Sequence, residues 1–247
     1  MKLSGSTVLV TGVGAGNLGH HFVEQLIERG ASRVYATARR PETVDAPGSE
    51  VLQLDLTDRD SIAAAAARAR DVNVLINNAS VFAAGLTFTG GDRDVIRRSF
   101  DTNVYGTLDM VRAFAPILAA NGGGAVLNVL SSAAWATSDG INVYAASKAA
   151  LWSMTKGLRS ELSTQGTHVS SLVFGMASTP ALKAFAEAVA GPGTLDAMMT
   201  DPAVIVRRAL DGLESGHAEI LADRLAVDAK AALSGDGPSV YAALTGE

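Results

Sequence analysis

The chain contains no cysteine, which excludes disulfides, thiolate metal sites and thiol nucleophiles. Histidine is scarce as well. The four that occur, His20, His21, His168 and His217, are scattered and have no carboxylate-rich cluster beside them, so no metal is expected. Basic residues are not in excess: 20 Lys and Arg against 25 Asp and Glu leave a net charge of -5, the wrong sign for nucleic acid or an anionic membrane. No apolar run is long enough to span a bilayer, and the opening MKLSGSTVLVTG lacks the apolar stretch of a secretory signal. A soluble cytoplasmic protein is the expectation. What remains is material for a packed interior, because 48% of the 247 residues are hydrophobic and only 18% are charged. That suits one large α/β domain.

Thr7 to Thr11 (TVLVT) is a short β-branched run of the kind buried on both faces of a parallel sheet. It leads into Gly12-Val13-Gly14-Ala15-Gly16-Asn17-Leu18-Gly19 and then HHFVEQLIERG, where Phe22, Val23, Leu26 and Ile27 recur at helical spacing before Gly30. Gly14, Gly16 and Gly19 form G-x-G-x-x-G between strand and helix. Missing side chains let the backbone turn tightly and approach a pyrophosphate, whose charge sits at the helix N-terminus. A dinucleotide site follows. Arg33 to Thr37 reads as a second strand, followed by Ala38-Arg39-Arg40. An NAD site usually ends this strand with an acid that bonds the ribose 2′-hydroxyl. None is present. Arg39 and Arg40 offer cations for a 2′-phosphate, which favours NADP(H) and leaves NAD(H) possible; the plainer alternative is that both arginines only solvate a loop.

Further strands are expected at Val51–Leu54, Val72–Asn77, Ala125–Leu130 and His168–Phe174, with a short apolar segment at Glu219–Leu221. Helices are expected from Asp60-Ser61 through Arg70, from Asp92 to about Ala120 with a kink or break at Pro116, and from about Asn142 to Leu162. Asp201-Pro202 starts another, to about Ser215, and Val227–Leu233 adds a final turn or two. Strands and helices alternate, which calls for a parallel sheet covered on both faces with ligands at the carboxyl ends of the strands. Asp55, Asn78, Ser131 and Gly175 all fall at that end.

The chemistry centres on Ser131 to Lys148, SSAAWATSDGINVYAASK. Tyr144 and Lys148 are i and i+4, so on a helix they share one face. A neighbouring ammonium favours the charged form of a phenol, whose ordinary pKa is about 10, and makes it a candidate general acid/base. Ser131 reaches the same point from the tip of the fifth strand.

With these motifs assembled, most of the chain, from Thr7 to about Ala222, resembles the short-chain dehydrogenase/reductase family. The likeness rests on the glycine loop, Asp55-Leu56, Asn77-Asn78-Ala79, Asn103-x-x-Gly106, Ser131, Tyr144-x-x-x-Lys148 and Gly175-x-x-x-Thr179, all in family order. It implies one domain over residues 1–247, a doubly wound Rossmann-type parallel sheet of about seven strands with helices on both faces. It also implies a cofactor site at Gly12, Gly14, Gly16, Asn17, Leu18, Gly19, Arg39, Asp55, Leu56, Asn78, Ala79, Tyr144, Lys148, Gly175 and Thr179. Catalysis falls to Ser131, Tyr144, Lys148 and Asn103, the last resembling the asparagine that holds a proton-relay water. Ser132 is the alternative serine; Ser131 stands in N-x-x-S from Asn128, as the family serine does.

The resemblance implies hydride transfer between the nicotinamide and a carbonyl or secondary alcohol, with a homodimer or homotetramer as the assembly. Three positions depart from the family pattern: an additional residue between Gly16 and Gly19, Ser80 for a glycine, and Phe174 for a proline. The substrate end is less defined. Trp135, Ser138 and Ile141 lie between serine and tyrosine, and residues 179–200 read as a helix and loop that could cover the pocket, with Leu182, Phe185, Met198 and Met199 as apolar contacts or plain core. The competing function is a non-catalytic NADP sensor on the same fold. A dehalogenase relative would carry arginine for Lys148 and lose the glycine loop.

Overall fold

Short apolar, β-branched runs become the strands, and burial follows them. In the computed structural model, which describes residues 1–138 and 140–233, β1 (Thr7–Thr11) is buried at all five positions. The strands that follow are β2 (Arg33–Ala38), β3 (Glu50–Gln53), β4 (Val74–Asn77), β5 (Ala125–Val129) and β6 (His168–Val173). Two-residue strands β7 (Met176–Ala177) and β8 (Met199–Thr200) pair with each other, and β9 (Glu219–Leu221) closes the main sheet. That sheet has seven parallel strands in the order β3-β2-β1-β4-β5-β6-β9. Growth in one direction ends at β3 and resumes from β4 on the other side of β1. The crevice where the order reverses is where ligands of such sheets bind.

Side chains alternate across the sheet and build two cores. Val8 and Val10 of β1 pack with Phe22 and Leu26 of α1 (Leu18–Glu28) and with Ile205, Leu210 and Leu213 further along the chain. Leu9 points the other way, with Leu75, toward Ile62 of α2 (Arg59–Arg68) and toward Met110, Phe114, Leu118 and Leu158. Each fully buried side chain of this size contributes about 1.5–3 kcal/mol. A one-residue slip of β1 would exchange the two sets, so the register is strongly specified.

The long helical stretch differs from expectation. It divides into α3 (Arg93–Phe100), a π-helical turn at Asp101–Gly106 and α4 (Thr107–Ala120), while Pro116 lies inside α4 without ending it. Pro116 and Arg112, whose carbonyl loses its donor, both lie on the exposed face, where water can serve that carbonyl. The irregularity thus falls at Asn103, in a wider turn of the kind common at functional sites. Downstream come α5 (Asn142–Ser163), α6 (Pro180–Ala190), α7 (Pro202–Glu214) and α8 (Arg224–Ala232). Side chains of Asn17, Asp58, Asp92, Thr179, Asp201 and Asp223 cap α1, α2, α3, α6, α7 and α8. Among the described residues no helix is long and apolar enough to cross a membrane, and no cluster could hold a metal. The C-terminal stretch SGDGPSVYAALTGE lies outside the described residues.

Candidate active site

The glycine loop is held from both sides by asparagines. Asn17 caps α1 by accepting from the His20 amide at 3.0 Å, accepts from Gly14 N at 3.2 Å and donates to the Gly12 carbonyl at 3.0 Å. Asn78, at the end of β4, donates its Nδ2 to the carbonyls of Thr11 and Gly12 at 2.9 and 3.1 Å. The Thr11 hydroxyl accepts from the amides of both Asn78 and Ala79. Two positions admit only glycine. Gly12 has φ +73° and a Cβ there would lie 2.7 Å from the Ala79 backbone; a Cβ on Gly19 would lie 2.6 Å from the Gly12 carbonyl oxygen. Gly12→Ala is therefore expected to cost about 1–3 kcal/mol in strain alone, lowering Tm by about 2–4 °C per kcal/mol, which thermal melting would show.

This loop suits a pyrophosphate. The first two amides of α1, on Leu18 and Gly19, have no acceptor among the described residues, since the Asn17 cap reaches only His20. Such donors at a helix N-terminus favour an anion. The Leu18 side chain is buried, as is that of Leu56, so both positions have only main-chain groups to offer a ligand. At the end of β2, Arg39 and Arg40 are exposed and make no ion pair among the described residues. Burial alone would raise the Asp55 carboxyl, but hydrogen bonds from the Thr57 hydroxyl and amide, together with the Arg39 charge, outweigh it and hold its pKa below the ordinary value. Arg39 and Asp55 are therefore electrostatic neighbours on the β2–β3 side.

At the opposite side of the crevice, Ser131 follows β5 directly. It is 5% exposed and its Oγ accepts from the Ala133 amide at 3.2 Å, leaving the hydroxyl proton able to donate. Ser132 is buried deeper, at 1%, with its amide held by the Phe174 carbonyl. Lys148 is 2% exposed. Its Nζ donates to the Val129 carbonyl at 2.9 Å and lies 5.6 Å from the centre of the Tyr144 ring. The lysine thereby joins the tyrosine face of α5 to the end of β5, two residues before Ser131. Burial pulls the Lys148 pKa down to about 7.

Asn103, 1% exposed on the π-helical turn, uses its side chain differently from a free water ligand. Its Oδ1 accepts from Val81 N at 2.8 Å, while Nδ2 donates to the Val81 carbonyl and to Ser147 Oγ, each at 3.0 Å. Both amide protons are engaged by protein, so a relay here would have to use its carbonyl oxygens. The pairing also fixes residues 81 and 82 beside α5, where the Phe82 ring meets the Tyr144 ring edge-on at 5.0 Å. Gly106 lets this turn approach the loop after β3, where a Cβ would lie 2.7 Å from the Leu56 carbonyl oxygen.

Gly175, beyond β6, is tied down by a residue the motifs did not reveal. Its amide donates to Asp223 Oδ2 at 2.7 Å, and the other oxygen of that buried carboxylate accepts from Ala226 N at 2.8 Å. Asp223→Ala is expected to free the Gly175 loop and α8 together, with a fall in melting temperature that Asp223→Asn only partly reproduces. Thr179 caps α6 through Leu182 N at 3.3 Å, and Pro180 sets the helix against Gly16.

Residues 6–190 match the model described as short chain dehydrogenase. The chain belongs to the short-chain dehydrogenase family. A short-chain dehydrogenase from Burkholderia cenocepacia, solved in complex with NADP, superposes with a TM-score of 0.86 at 33% identity over 99% of both chains. Another, from Sphingobium yanoikuyae in complex with NADPH, gives 0.76 at 26% identity, covering 95% of this chain and 97% of its own. A curated relative, sorbitol dehydrogenase of Cereibacter sphaeroides, is 33% identical over 188 residues, 71% of this chain and 72% of its own. The chain is thus an oxidoreductase on the short-chain dehydrogenase fold.

In this short-chain dehydrogenase, the motifs do not show how several residues shape the site. Asn77 donates to Asn128 Oδ1 and Asn128 to Thr155 Oγ1, both at 2.9 Å, a buried ladder joining β4, β5 and α5 under the Tyr144 helix. Asn77 belongs to the Asn77-Asn78-Ala79 motif and Asn128 to N-x-x-S, but the ladder itself had no signal beyond polar residues inside otherwise apolar runs. Val81 and Phe82 had none, since their importance comes from Asn103 and Tyr144, both distant in sequence.

Proposed function

We propose that this enzyme is an NADP(H)-dependent oxidoreductase that interconverts a carbonyl and a secondary alcohol, with Tyr144 as general acid/base. The observation that carries the reading is Lys148: a buried amine beside the Tyr144 ring, bonded to the carbonyl of Val129, which lies two residues before Ser131. Burial there disfavours the charged form of the amine, a perturbation that fits a catalytic site. The glycine cradle, the open amides of α1 and the exposed Arg39 fit a dinucleotide carrying a 2′-phosphate, and relatives solved with NADP and NADPH support the choice. When bound, the cofactor supplies hydride to the carbonyl carbon. Ser131 then hydrogen-bonds the substrate oxygen and Tyr144 delivers a proton to it, so the C=O π pair becomes the O–H bond. Two placed donors meet the developing charge. Lys148 orients the cofactor ribose and favours the phenolate that reforms, and Asn103 reconnects the lysine to solvent protons.

The cofactor part has its own test. kcat/KM is expected to be higher with NADPH than with NADH, and Arg39→Ala should erode that preference about tenfold or more, as loss of a charge-assisted phosphate contact does. A clear wild-type preference for NADH would overturn the reading of Arg39. For the reaction, NADPH absorbance is followed against ketones, β-keto esters, quinones and sugars. Tight NADPH binding with no turnover across the panel would instead favour a sensor. The same proposal includes residues 179–200 as the segment covering the substrate, a cytoplasmic location, and a homodimer or homotetramer formed through α4 and α5.

A further inference from the structure

Three rings, those of Tyr144, Phe82 and Phe185, are joined in series by edge contacts. Phe82 meets the Tyr144 ring at 5.0 Å and 79°, and Phe185 of α6 meets Phe82 at 5.1 Å and 82°. Both contacts are edge-to-face, the favourable geometry for aromatic quadrupoles. Phe82 is not core filling: it remains 39% exposed. Its backbone position is nonetheless set, because Asn103 grips both the amide and the carbonyl of Val81. Phe185 is placed as firmly from the other direction. Thr179 caps α6, Pro180 abuts Gly16, and Ala186, next to Phe185, is buried.

The charges of α6 are kept off this wall. Lys183 and Glu187 stand two residues to either side of Phe185, about 200° around the helix, and both are exposed. The Lys148 amine, 5.6 Å from the centre of the Tyr144 ring, is directed at the Val129 carbonyl. A substrate that brings its carbonyl to the Tyr144 hydroxyl therefore lays its substituent along aromatic carbon, and among the described residues of α6 no charged side chain shares the Phe185 face.

Resting on the carbonyl/alcohol reading above, we propose that Phe82 and Phe185 determine specificity and that the substrate is an aryl or comparably flat apolar carbonyl compound, or the matching alcohol. Its ring joins the row of rings or takes the place of Phe185 against Phe82. The helix that covers the site is then fastened to the reacting tyrosine through Phe82, so the substituent is sensed at the point where it reacts.

The test compares kcat/KM with NADPH for acetophenone, 2-butanone and pyruvate in the wild type, Phe82→Leu and Phe185→Ala, alongside calorimetric binding of 1-phenylethanol. The wild type should favour acetophenone over both others by at least about tenfold, the scale set by an apolar group in a matched pocket. Each variant should lose more on acetophenone than on 2-butanone, and Phe185→Ala should weaken 1-phenylethanol binding. Phe82→Leu keeps an apolar side chain at a partly exposed position, so it tests the ring without emptying a core. Preference for pyruvate, or an acetophenone to 2-butanone ratio unchanged in both variants, would overturn the proposal while leaving the carbonyl reading intact. Failure of every carbonyl to oxidise NADPH would remove that reading and this proposal together.

Discussion

Tyr144→Phe should lose about 10²–10⁴-fold in turnover, the range for removal of a general acid/base, while NADPH affinity stays near that of the wild type. The substitution deletes one oxygen and keeps the ring, so the edge contact with Phe82 at 5.0 Å and the placement of the Lys148 amine beside the ring persist. Stability should change little. Single-turnover oxidation of NADPH reads the chemical step, and fluorescence titration reads binding. A variant that turns over normally would assign the proton to another group, with Ser131 or Ser132 the next to replace. A variant that loses binding and turnover together would point to a structural role for the phenol.

Lys148→Met should separate function from stability in the opposite sense. The folded protein depresses the pKa of Lys148 to about 7, because burial disfavours its charge, against 10.5 for the free side chain. Between those values the unfolded chain binds more protons than the folded one, so stability rises with pH across the window. Below about pH 7 both states are protonated and the folded state carries the full cost of the buried cation; above pH 10.5 neither is charged and the cost vanishes. Methionine fills similar space without charge. The variant is therefore expected to melt at or above the wild-type temperature at pH 6, to lose the rise in stability between pH 7 and 10, and to fall at least about 10²-fold in turnover. Melting curves at several pH values check the first two points. A variant less stable at pH 6 that keeps the same pH dependence would show that the buried amine is not the titrating group.

How much of this was legible in the sequence depends on whether a residue's role is local. β1 and the glycine loop could be read because β-branched runs, tight turns and helix starts follow from a few consecutive residues. Tyr144 and Lys148 could be placed on one face because helical spacing alone does so. The site's depth could not. That Lys148 is sealed in and bonded to Val129 depends on β5 lying under α5, a tertiary fact. Pro116 was read as a kink or break from its own chemistry, but a proline on an exposed face of a helix anchored by Met110, Phe114 and Leu118 need not end it. The π-helical turn that seats Asn103 has no comparable local signature. Asp223 carried no motif; one of its oxygens caps α8 and the other reaches Gly175, 48 residues away. Arg39 lies between these cases, since its position after β2 was readable while its proximity to Asp55 was not.

The central claim is that hydride passes to a substrate carbonyl at a site where Tyr144 supplies the proton. Incubating the enzyme with NADPH deuterated at the transferable C4 position and a ketone that it turns over, then analysing the alcohol by NMR and mass spectrometry, tests that claim most directly. One deuterium on the carbinol carbon and a solvent-derived proton on oxygen, with product formation suppressed in Tyr144→Phe, is the predicted result. An alcohol without deuterium on that carbon, or undiminished formation of labelled alcohol by Tyr144→Phe, would contradict it.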